Sequence, residues 1–348
     1  MLLSGGVDSS VSMRLLQDAG HDLTAFYIKI WLEEELAFLG ECPWEDDLKY
    51  ARAVCDQAGI ELRIVNFQKE YWQEVVATVI SEARAGRTPN PDILCNSRIK
   101  FGMFYESFGQ DFEKVATGHY AQIEERHAQQ EFFLKKSQDP IKDQTYFLSR
   151  LSQAQVARAL FPLGGYTKET VRVLAARYGL SNAARKDSQG ICFLGTIAFD
   201  KFLEQYLGKK EGNIVDLETG DILGKHDGFW FYTIGQRRGL GLSGGPWYVA
   251  DKNIEDNTVF VSNDWRSEEM ARDVFVVNDL NWVSGSAPKE GSFSVKIRHG
   301  EKEYPCAITF LDEDRLEVRL KGFDRGIASG QSAVLYDNEY CLGGGLIM

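Results

Sequence analysis

The sequence predicts an α/β protein: a parallel sheet covered by helices on both faces, followed by two smaller β modules. Three observations predict it. Strand-like and helical patterns alternate up to about residue 120, which in a globular chain means βαβ units and a parallel sheet. A glycine turn, SGGVDSS, stands between a short apolar stub and the first helical pattern. After Gly208 the texture changes to short β runs broken by glycine and Asp/Asn turns.

Each element follows from its local pattern. Leu2–Leu3 is the apolar stub, Ser4–Gly5–Gly6 the turn, and Val7, Val11, Leu15 and Leu16 recur at helical spacing until Gly20 stops the helix. DLTAFYIKI reads as a second strand, WEDDLKYARAVCDQAG as an amphipathic helix ending at Gly59, and ELRIVNF as a third strand. KEYWQEVVATVISEARAG is a long helix ending at Gly86. EKVATGHYAQI is a further strand running into a turn, which puts Gly118 and His119 at a carboxyl strand end, where such sheets hold their ligands. SQAQVARALF, TKETVRVLAARYG and AFDKFLEQYLG continue the helical pattern. GNIVDLETGDILGKHDGFWFYTIGQRRGLGL and PWYVADKNIEDNTVFVS then form a β-rich middle. VFVVNDLNWV, SFSVKIRHG, EYPCAITFL, RLEVRLKG and QSAVLYDNEYCLGGGLIM read as a small antiparallel barrel. The expected domains are 1–207, 208–272 and 273–348. The first strand falls short of the usual run of about five or six residues, so we expect a truncated N-terminus, which would also hide any targeting peptide.

A length of 348 residues leaves room for two or three domains. The formal net charge of −12 argues against nonspecific nucleic-acid binding driven by overall charge, without excluding a local basic face. Basic clusters do occur: Arg98 and Lys100, Lys135–Lys136, Arg185–Lys186, Gln236–Arg237–Arg238, and Lys296 with Arg298 and His299. The sequence contains no apolar run of membrane-spanning length and no secretory signal. Cys42, Cys55, Cys95, Cys192, Cys306 and Cys341 form no CxxC, and the five histidines are scattered. That pattern fits a reducing compartment, and no structural metal is expected.

Three stretches carry chemistry. The SGGVDSS turn leaves backbone N–H groups at a helix N-terminus, an anion site to which Ser4, Ser9 and Ser10 would add hydroxyl donors. It lacks the lysine of a Walker loop; the plainer alternative is a serine-capped βα turn. In GRTPNPDILCNSRIKFG, two prolines stiffen a turn that positions Asp92 and Cys95 before a helix starting near Ser97. With Arg98 and Lys100 close by, Cys95 should have a lowered pKa; the alternative is a small buried hydrophobe. In ARKDSQGICFLG, Cys192 lies in a glycine-flanked apolar run. Alone it reads as core; paired with Cys95 it suggests a nucleophile and a sulfur carrier.

SGGVDSS resembles the pyrophosphate-binding loop of the PP-loop ATP pyrophosphatases. GRTPNPDILCN, ATGHYA, KDQTYFL, KDSQGICFLG, YTIGQRRGLGL, PWYVADK and GQSAVLY follow in order. Together these motifs make the chain similar, over essentially its whole length, to the MnmA/TrmU family of tRNA-specific 2-thiouridylases. The resemblance implies an N-terminal parallel-sheet PP-loop nucleotide domain, a small β-rich central domain and a C-terminal antiparallel β-barrel that contacts tRNA. It implies ATP-dependent replacement of the C2 oxygen of the wobble uridine by sulfur. Leu3, Ser4, Gly5, Gly6, Val7, Asp8 and Ser9 would hold the ATP phosphates, with Ile28 and Gly118 bordering the adenosine. Asn90, Pro91 and Asp92 would meet the target base, Asp92 also serving catalysis. Cys95 corresponds to the nucleophile and Cys192 to the persulfide carrier. His119, Lys142, Asp143, Gln144, Arg298, His299 and Gln331 match tRNA contacts.

The same resemblance implies ATP with Mg2+, tRNA, and a persulfide donor such as a cysteine desulfurase or relay protein. It implies a monomer with no membrane partner, in the cytoplasm or in a plastid or mitochondrial matrix. KIWLEEELAFLGECPWEDD departs from the family by its bulk, with Ile30 where asparagine is common, and resembles versions in photosynthetic eukaryotes. Turnover would leave a Cys95–Cys192 disulfide, so at least one of the two segments is expected to be mobile. Two rival readings stay open at this point. One is a PP-loop ligase or amidotransferase acting on a small metabolite. The other is a non-catalytic RNA-binding protein with a relic ATP fold.

Overall fold

Leu2 and Leu3 lie at the middle of the N-terminal sheet. The computed structural model describes residues 1–30, 44–126, 131–186, 198–264 and 271–348. Leu2 bridges Phe26 in parallel, Leu3 N–H donates to the Phe26 carbonyl, and Leu2 N–H donates to the Ala116 carbonyl. The following strands are β1 (Ala25–Lys29), β2 (Leu62–Asn66) and β3 (Val115–Ala116). A hairpin of β4 (Gln122–Arg126) and β5 (Glu131–Lys135) leaves the sheet, and β6 (Ala159–Leu160) returns to it. β1 pairs in parallel with β2, and β3 with β6. The order across the sheet is therefore β2, β1, Leu2–Leu3, β3, β6. The expected parallel sheet is present, and its carboxyl ends converge beside the glycine turn.

The helices form where periodicity and caps place them. Val7–Asp18 buries Val7, Val11 and Leu16 and stops at Gly20, whose φ is +83°. Trp44–Ala58 buries Leu48, Ala51 and Val54. The helix over 68–84 carries a π-helical turn at Trp72–Val76. Thr167 caps Lys168–Arg177, and Phe199–Leu207 is the last helix before the central module. Two expectations needed correcting. EKVATGHYAQI is not one strand, because only Val115–Ala116 stays in the parallel sheet and the chain turns away at Thr117. SQAQVARALF is helical only over Gln153–Arg158, behind a Ser152–Gln155 capping box, and its Ala159–Leu160 is strand β6. Both breaks serve pairing with distant strands, which local periodicity does not encode.

The central module is a sheet of β7 (Gly212–Asp216), β8 (Ile222–His226), β9 (Tyr248–Asn253) and β10 (Thr258–Ser262), in the order β8-β7-β10-β9. The C-terminal strands are β11 (Arg272–Trp282), β12 (Gly291–Lys296), β13 (Tyr304–Phe310), β14 (Leu316–Asp324), β15 (Ser332–Asp337) and β16 (Tyr340–Ile347). They run β11-β14-β13-β12-β15-β16, and pairing of β11 with β16 closes them into an antiparallel barrel around Val295, Leu316 and Leu335.

The β4–β5 hairpin is built onto this barrel. Lys135 and Leu134 of β5 pair with Tyr340 and Cys341 of β16, so one eight-stranded sheet runs from the N-terminal part into the barrel. A single apolar cluster spans the junction, taking in Val75, Ile99, Leu134 and Tyr146 from one side and Val334, Tyr336 and Cys341 from the other. A buried polar network crosses it as well. Lys296 Nζ lies 3.5 Å from Asp143 Oδ2 and 3.7 Å from Glu303 Oε1, and both the Lys296 and Asp143 side chains are almost wholly buried. Buried charges of this kind are tolerated only when paired.

Candidate active site

The glycine turn is shaped by close backbone approaches. Gly5 adopts φ +75°, and a Cβ there would stand 2.1 Å from the Asp47 carbonyl oxygen, so only glycine fits. Gly6 is the N-cap of the first helix and offers no side-chain cap, leaving first-turn N–H groups for an anion. The serines brace the turn more than expected. Ser9 Oγ and Ser10 Oγ both donate to the Gly6 carbonyl, at 3.1 and 2.9 Å, and Ser10 is wholly buried. The Ser10 hydroxyl therefore holds the loop rather than facing a ligand. Asn182 Nδ2 donates to the Gly5 carbonyl and to Ser10 Oγ, both at 2.9 Å. Gly118, at the end of β3, packs on the helix start: a Cβ there would lie 2.8 Å from Ser9 N. Ile28, at the end of β1, is half-buried in the neighbouring strand.

Sequence reasoning missed one residue here. Lys168 Nζ donates to both Asp8 oxygens, at 2.7 and 2.9 Å, and Tyr120 Oη donates to Asp8 Oδ1 at 2.9 Å. The loop has no lysine of its own, yet the fold delivers one from a helix start 160 residues away. Its only sequence signal was the Thr167 cap. Asp139 fixes that helix start, accepting from Lys168 N at 2.8 Å and, on its other oxygen, from Ile141 N and Lys142 N.

The second half of the site begins at Asn90. Its side chain accepts from Asp92 N and Ile93 N, and Pro91 occupies the first helical position, so the helix starts at Pro91 and not near Ser97. Cys95 therefore lies within the helix, 2% exposed, as the first residue of a nine-residue π-helical stretch, Cys95–Met103. Such stretches often mark functional positions. Gln155 Nε2 donates to the widened carbonyls of Ser97 and Phe101, at 3.1 and 2.8 Å. The cations expected beside Cys95 bond elsewhere: Arg98 to the Glu74 carbonyl at 2.8 Å and Lys100 to Asn96 Oδ1 at 2.9 Å. Cys192 lies in 187–197, outside the described residues. Burial pushes the Cys55 thiol up to about 11 and those of Cys306 and Cys341 up to about 12, so at neutral pH these three are inert thiols.

The barrel brings its own residues to the Asn90 segment. Thr88 N donates to the Ser329 carbonyl at 2.8 Å, placing the Gln331 loop against it. His299 stacks on Phe147 with ring centroids 4.4 Å apart. Its pKa is lowered chiefly by burial, against the opposing pull of Asp143 and, more weakly, of the Asp92 charge. Arg298 pairs with Asp324 through both nitrogens, each at 2.9 Å. Burial would raise the Asp324 carboxyl, but the Arg298 and Tyr304 hydrogen bonds outweigh it and hold the pKa below the usual carboxylate range.

Family models match the whole length: a tRNA methyl transferase HUP domain over residues 1–196, a tRNA methyl transferase PRC-barrel domain over 200–263, and an aminomethyltransferase beta-barrel domain over 272–347. The tRNA-specific 2-thiouridylase MnmA of Parabacteroides distasonis is 43% identical over 353 residues, covering 100% of this chain and 98% of that protein. MnmA 2 of Bacteroides fragilis is 44% identical, covering 99% and 98%. The chain belongs to the MnmA family of tRNA-specific 2-thiouridylases. MnmA of Porphyromonas gingivalis is 40% identical over 356 residues, covering 99% of this chain and 98% of its own. Among solved structures, the U34-tRNA thiolase NcsA from Methanococcus maripaludis overlaps 60% of the chain at 18% identity and a TM-score of 0.35, too slight a likeness to carry an argument.

Within this MnmA-family fold, some residues expected at the RNA turn inward. His119 is packed between Phe101 and Phe161, with Nδ1 2.7 Å from Thr117 Oγ1. Burial, helped by the Lys100 charge, drives its pKa well below the ordinary value, so the ring is neutral. The Asp143 carboxylate accepts from Ser137 N at 3.0 Å and Thr145 Oγ1 at 2.7 Å and faces Lys296, so its side chain is structural. Gln144 Oε1 accepts from Tyr120 N, and Gln144 N donates to the Tyr120 carbonyl, both at 2.9 Å. Tyr120 in turn reaches Asp8. The Gln144 carbonyl accepts from Phe147 N, and the Phe147 carbonyl from Asn96 Nδ2 beside Cys95, both at 3.0 Å, so the two halves of the site are joined through Asp8, Tyr120, Gln144 and Phe147. Among the described residues, no group of three His, Cys, Asp or Glu side chains could hold a metal ion, and no helix is long and apolar enough to cross a membrane.

Proposed function

We propose that this chain thiolates the wobble uridine of tRNA at C2, activating the uracil oxygen with ATP and delivering sulfur from a cysteine persulfide. The observation that carries the reading is the joining of an uncapped anion loop to the Asn90–Cys95 helix start, on a chain of this family. The titles of the family models speak of methyl transfer, but a methyl donor needs no ATP-cleaving loop. A small-metabolite ligase would need no barrel laid against the Asn90 segment.

The uracil C2 oxygen attacks the α-phosphorus of ATP, forming C2–O–AMP and expelling pyrophosphate into the loop of Leu3 to Ser9, while Ile28 and Gly118 border the adenosine. Mg2+ accompanying ATP would call on only one or two protein carboxylates; Asp8, the acidic residue in the first turn of the loop helix, would be the one to supply it, exchanging its bond to Lys168. An outside persulfide donor, a desulfurase or relay protein, loads Cys192. The terminal sulfur then displaces AMP at C2, and the Cys95 thiolate attacks the Cys192 sulfur to release thiouridine. Alternatively, Cys95 attacks first and the released sulfide displaces AMP. Either route leaves a Cys95–Cys192 disulfide for an external reductant. Asn90, Pro91 and Asp92 frame the base, and Lys142, Arg298, His299 and Gln331 line the RNA side. This reading divides the chain at 207 and 272 and has it acting as a monomer, in the cytoplasm or an organelle matrix.

Incubation with ATP and unmodified tRNA should yield AMP and pyrophosphate in step with RNA adenylation; ADP and phosphate would overturn the reading. A second expectation concerns Arg298. Arg298→Ala should weaken tRNA binding, and it should also strip the buried Asp324 carboxylate of its bidentate partner, leaving it Tyr304, Gly326 N and Lys302 Nζ at 3.8 Å, at a cost of about 1 kcal/mol. The melting temperature should then drop by about 2–4 °C. Adding Asp324→Asn should restore the melting temperature but not RNA binding. Recovery of both in the double variant would assign Arg298 a structural role alone.

A further inference from the structure

The sequence singles out Gln236–Arg237–Arg238 as a basic cluster, and the site described so far leaves it unused. Arg237 and Arg238 are both exposed, and among the described residues neither side chain has a hydrogen-bond or ion-pair partner. Many other arginines on this acidic chain are matched to carboxylates, as Arg63 is to Glu61, Arg87 to Glu82 and Arg319 to Glu317. An unmatched guanidinium pair is a local positive site with donors arranged for phosphate oxygens.

The turn that carries them is built, not loose. Gln236 N donates to the Thr233 carbonyl at 2.9 Å, and Thr233 N donates back to Gln236 Oε1 at 3.0 Å. Gln236 Nε2 donates to the Arg238 carbonyl at 2.9 Å. Gly235 N donates to the Val249 carbonyl, and Val249 N to the Gln236 carbonyl, seating the turn on β9. Beyond it the glycine-rich chain lines an open recess of about 380 Å³ beside Arg237.

Placement is what gives the pair a ligand. Thr233 Oγ1 lies 3.3 Å from Thr88 Oγ1, two residues before Asn90. A Cβ on Gly235 would stand 3.1 Å from Gly326 Cα, and the Gly326 carbonyl accepts from Arg298 Nη1 at 3.4 Å. The turn therefore wedges between the segment proposed to frame the target base and the barrel residues proposed to line the RNA. We infer that the Arg237–Arg238 turn is a phosphate clamp, supplied by the central module, for the phosphodiester backbone of the tRNA beside the target nucleotide. The inference rests on the tRNA reading above. It adds a sequence-independent grip, because guanidinium–phosphate contacts position the RNA without reading bases.

The test measures tRNA affinity from about 50 to 300 mM KCl for the parent protein, for Arg237→Ala/Arg238→Ala, and for an Arg319→Ala charge control. Each phosphate contact contributes a little under one to the slope of log affinity against log salt. The double variant should bind on the order of tenfold or more weakly near physiological salt, with its slope reduced by about two. Arg319→Ala should match the parent. The loss should be the same for a single-stranded RNA of unrelated sequence, and Arg237→Lys/Arg238→Lys should regain part of it. A parent protein that binds no tRNA would defeat the tRNA reading itself. A parent that binds tRNA, with a double variant of equal affinity and equal slope, would defeat the clamp alone. Unequal losses for the two RNAs would assign the turn to base recognition and overturn it as a phosphate grip.

Discussion

Cys95→Ser should abolish sulfur transfer while sparing ATP chemistry: if Cys95 is the nucleophile proposed above, thiolation should fall by roughly 10³-fold or more, and AMP formation with tRNA should stay within a few-fold. The reason is geometric. Cys95 belongs to the Asn90 helix, whose cap and π-helical stretch do not depend on the thiol, and it makes no part of the glycine turn. Serine keeps the volume but is a far weaker nucleophile at neutral pH. Because Cys95 is 2% exposed, a buried hydroxyl could unsettle the helix, so Cys95→Ala serves as the control. Both variants should melt within a few degrees of the parent and still adenylate RNA. Mass spectrometry of tRNA nucleosides with a persulfide donor reads the outcome; normal thiolation by either variant would remove Cys95 from the mechanism. Cys192→Ser should give the same phenotype. Cys55, Cys306 and Cys341 cannot substitute, since burial holds each in the thiol form.

Local chemistry made the loop and its helix legible: a glycine pair, an uncapped N-terminus and a stop at Gly20 are all short-range signals. The barrel was legible for the same reason, as strands separated by turns. What the sequence did not reveal depends on chain segments meeting from afar. The helix start at Pro91 is hidden in a stretch whose prolines suggest a stiff turn, although Asn90 and Pro91 together are a cap and a first helical residue. Lys168 and the β4–β5 pairing to the barrel were invisible for a deeper reason, since neither alters the periodicity of its own segment. His119 and Asp143 carry residue types suited to RNA, yet burial decides their roles, and burial is a property of the assembled fold.

Lys168→Met is the second large effect expected. If ATP sits at the loop as proposed, the ammonium that both Asp8 oxygens hold would stabilise charge developing on the phosphates. Removing one such preorganised donor typically lowers the rate by about 10²–10³. AMP formation should fall by that order, whereas tRNA affinity should barely change. The fold should survive, because Asp8 keeps its bond from Tyr120 and the backbone of residue 168 keeps its bond to Asp139. Lys168→Arg should recover part of the rate. An unchanged rate of AMP formation in Lys168→Met would make the lysine a brace for Asp8 and nothing more.

The hairpin that joins the barrel sets a timetable for the ribosome. Tyr340 reaches Glu124 across 216 residues, and β16 is the neighbour that covers the outer edge of β5. At about 5–20 residues per second, β5 waits on the order of 10–40 s for that neighbour to be translated. Throughout that interval the nascent chain displays an open strand edge and the apolar faces of Leu134 and Tyr146, the kind of surface that other chains and chaperones seize. Yield in a foreign host should therefore follow how well that host shields nascent chains, and a shortened gene ending before β16 should give aggregates in place of a free-standing ATP-binding half.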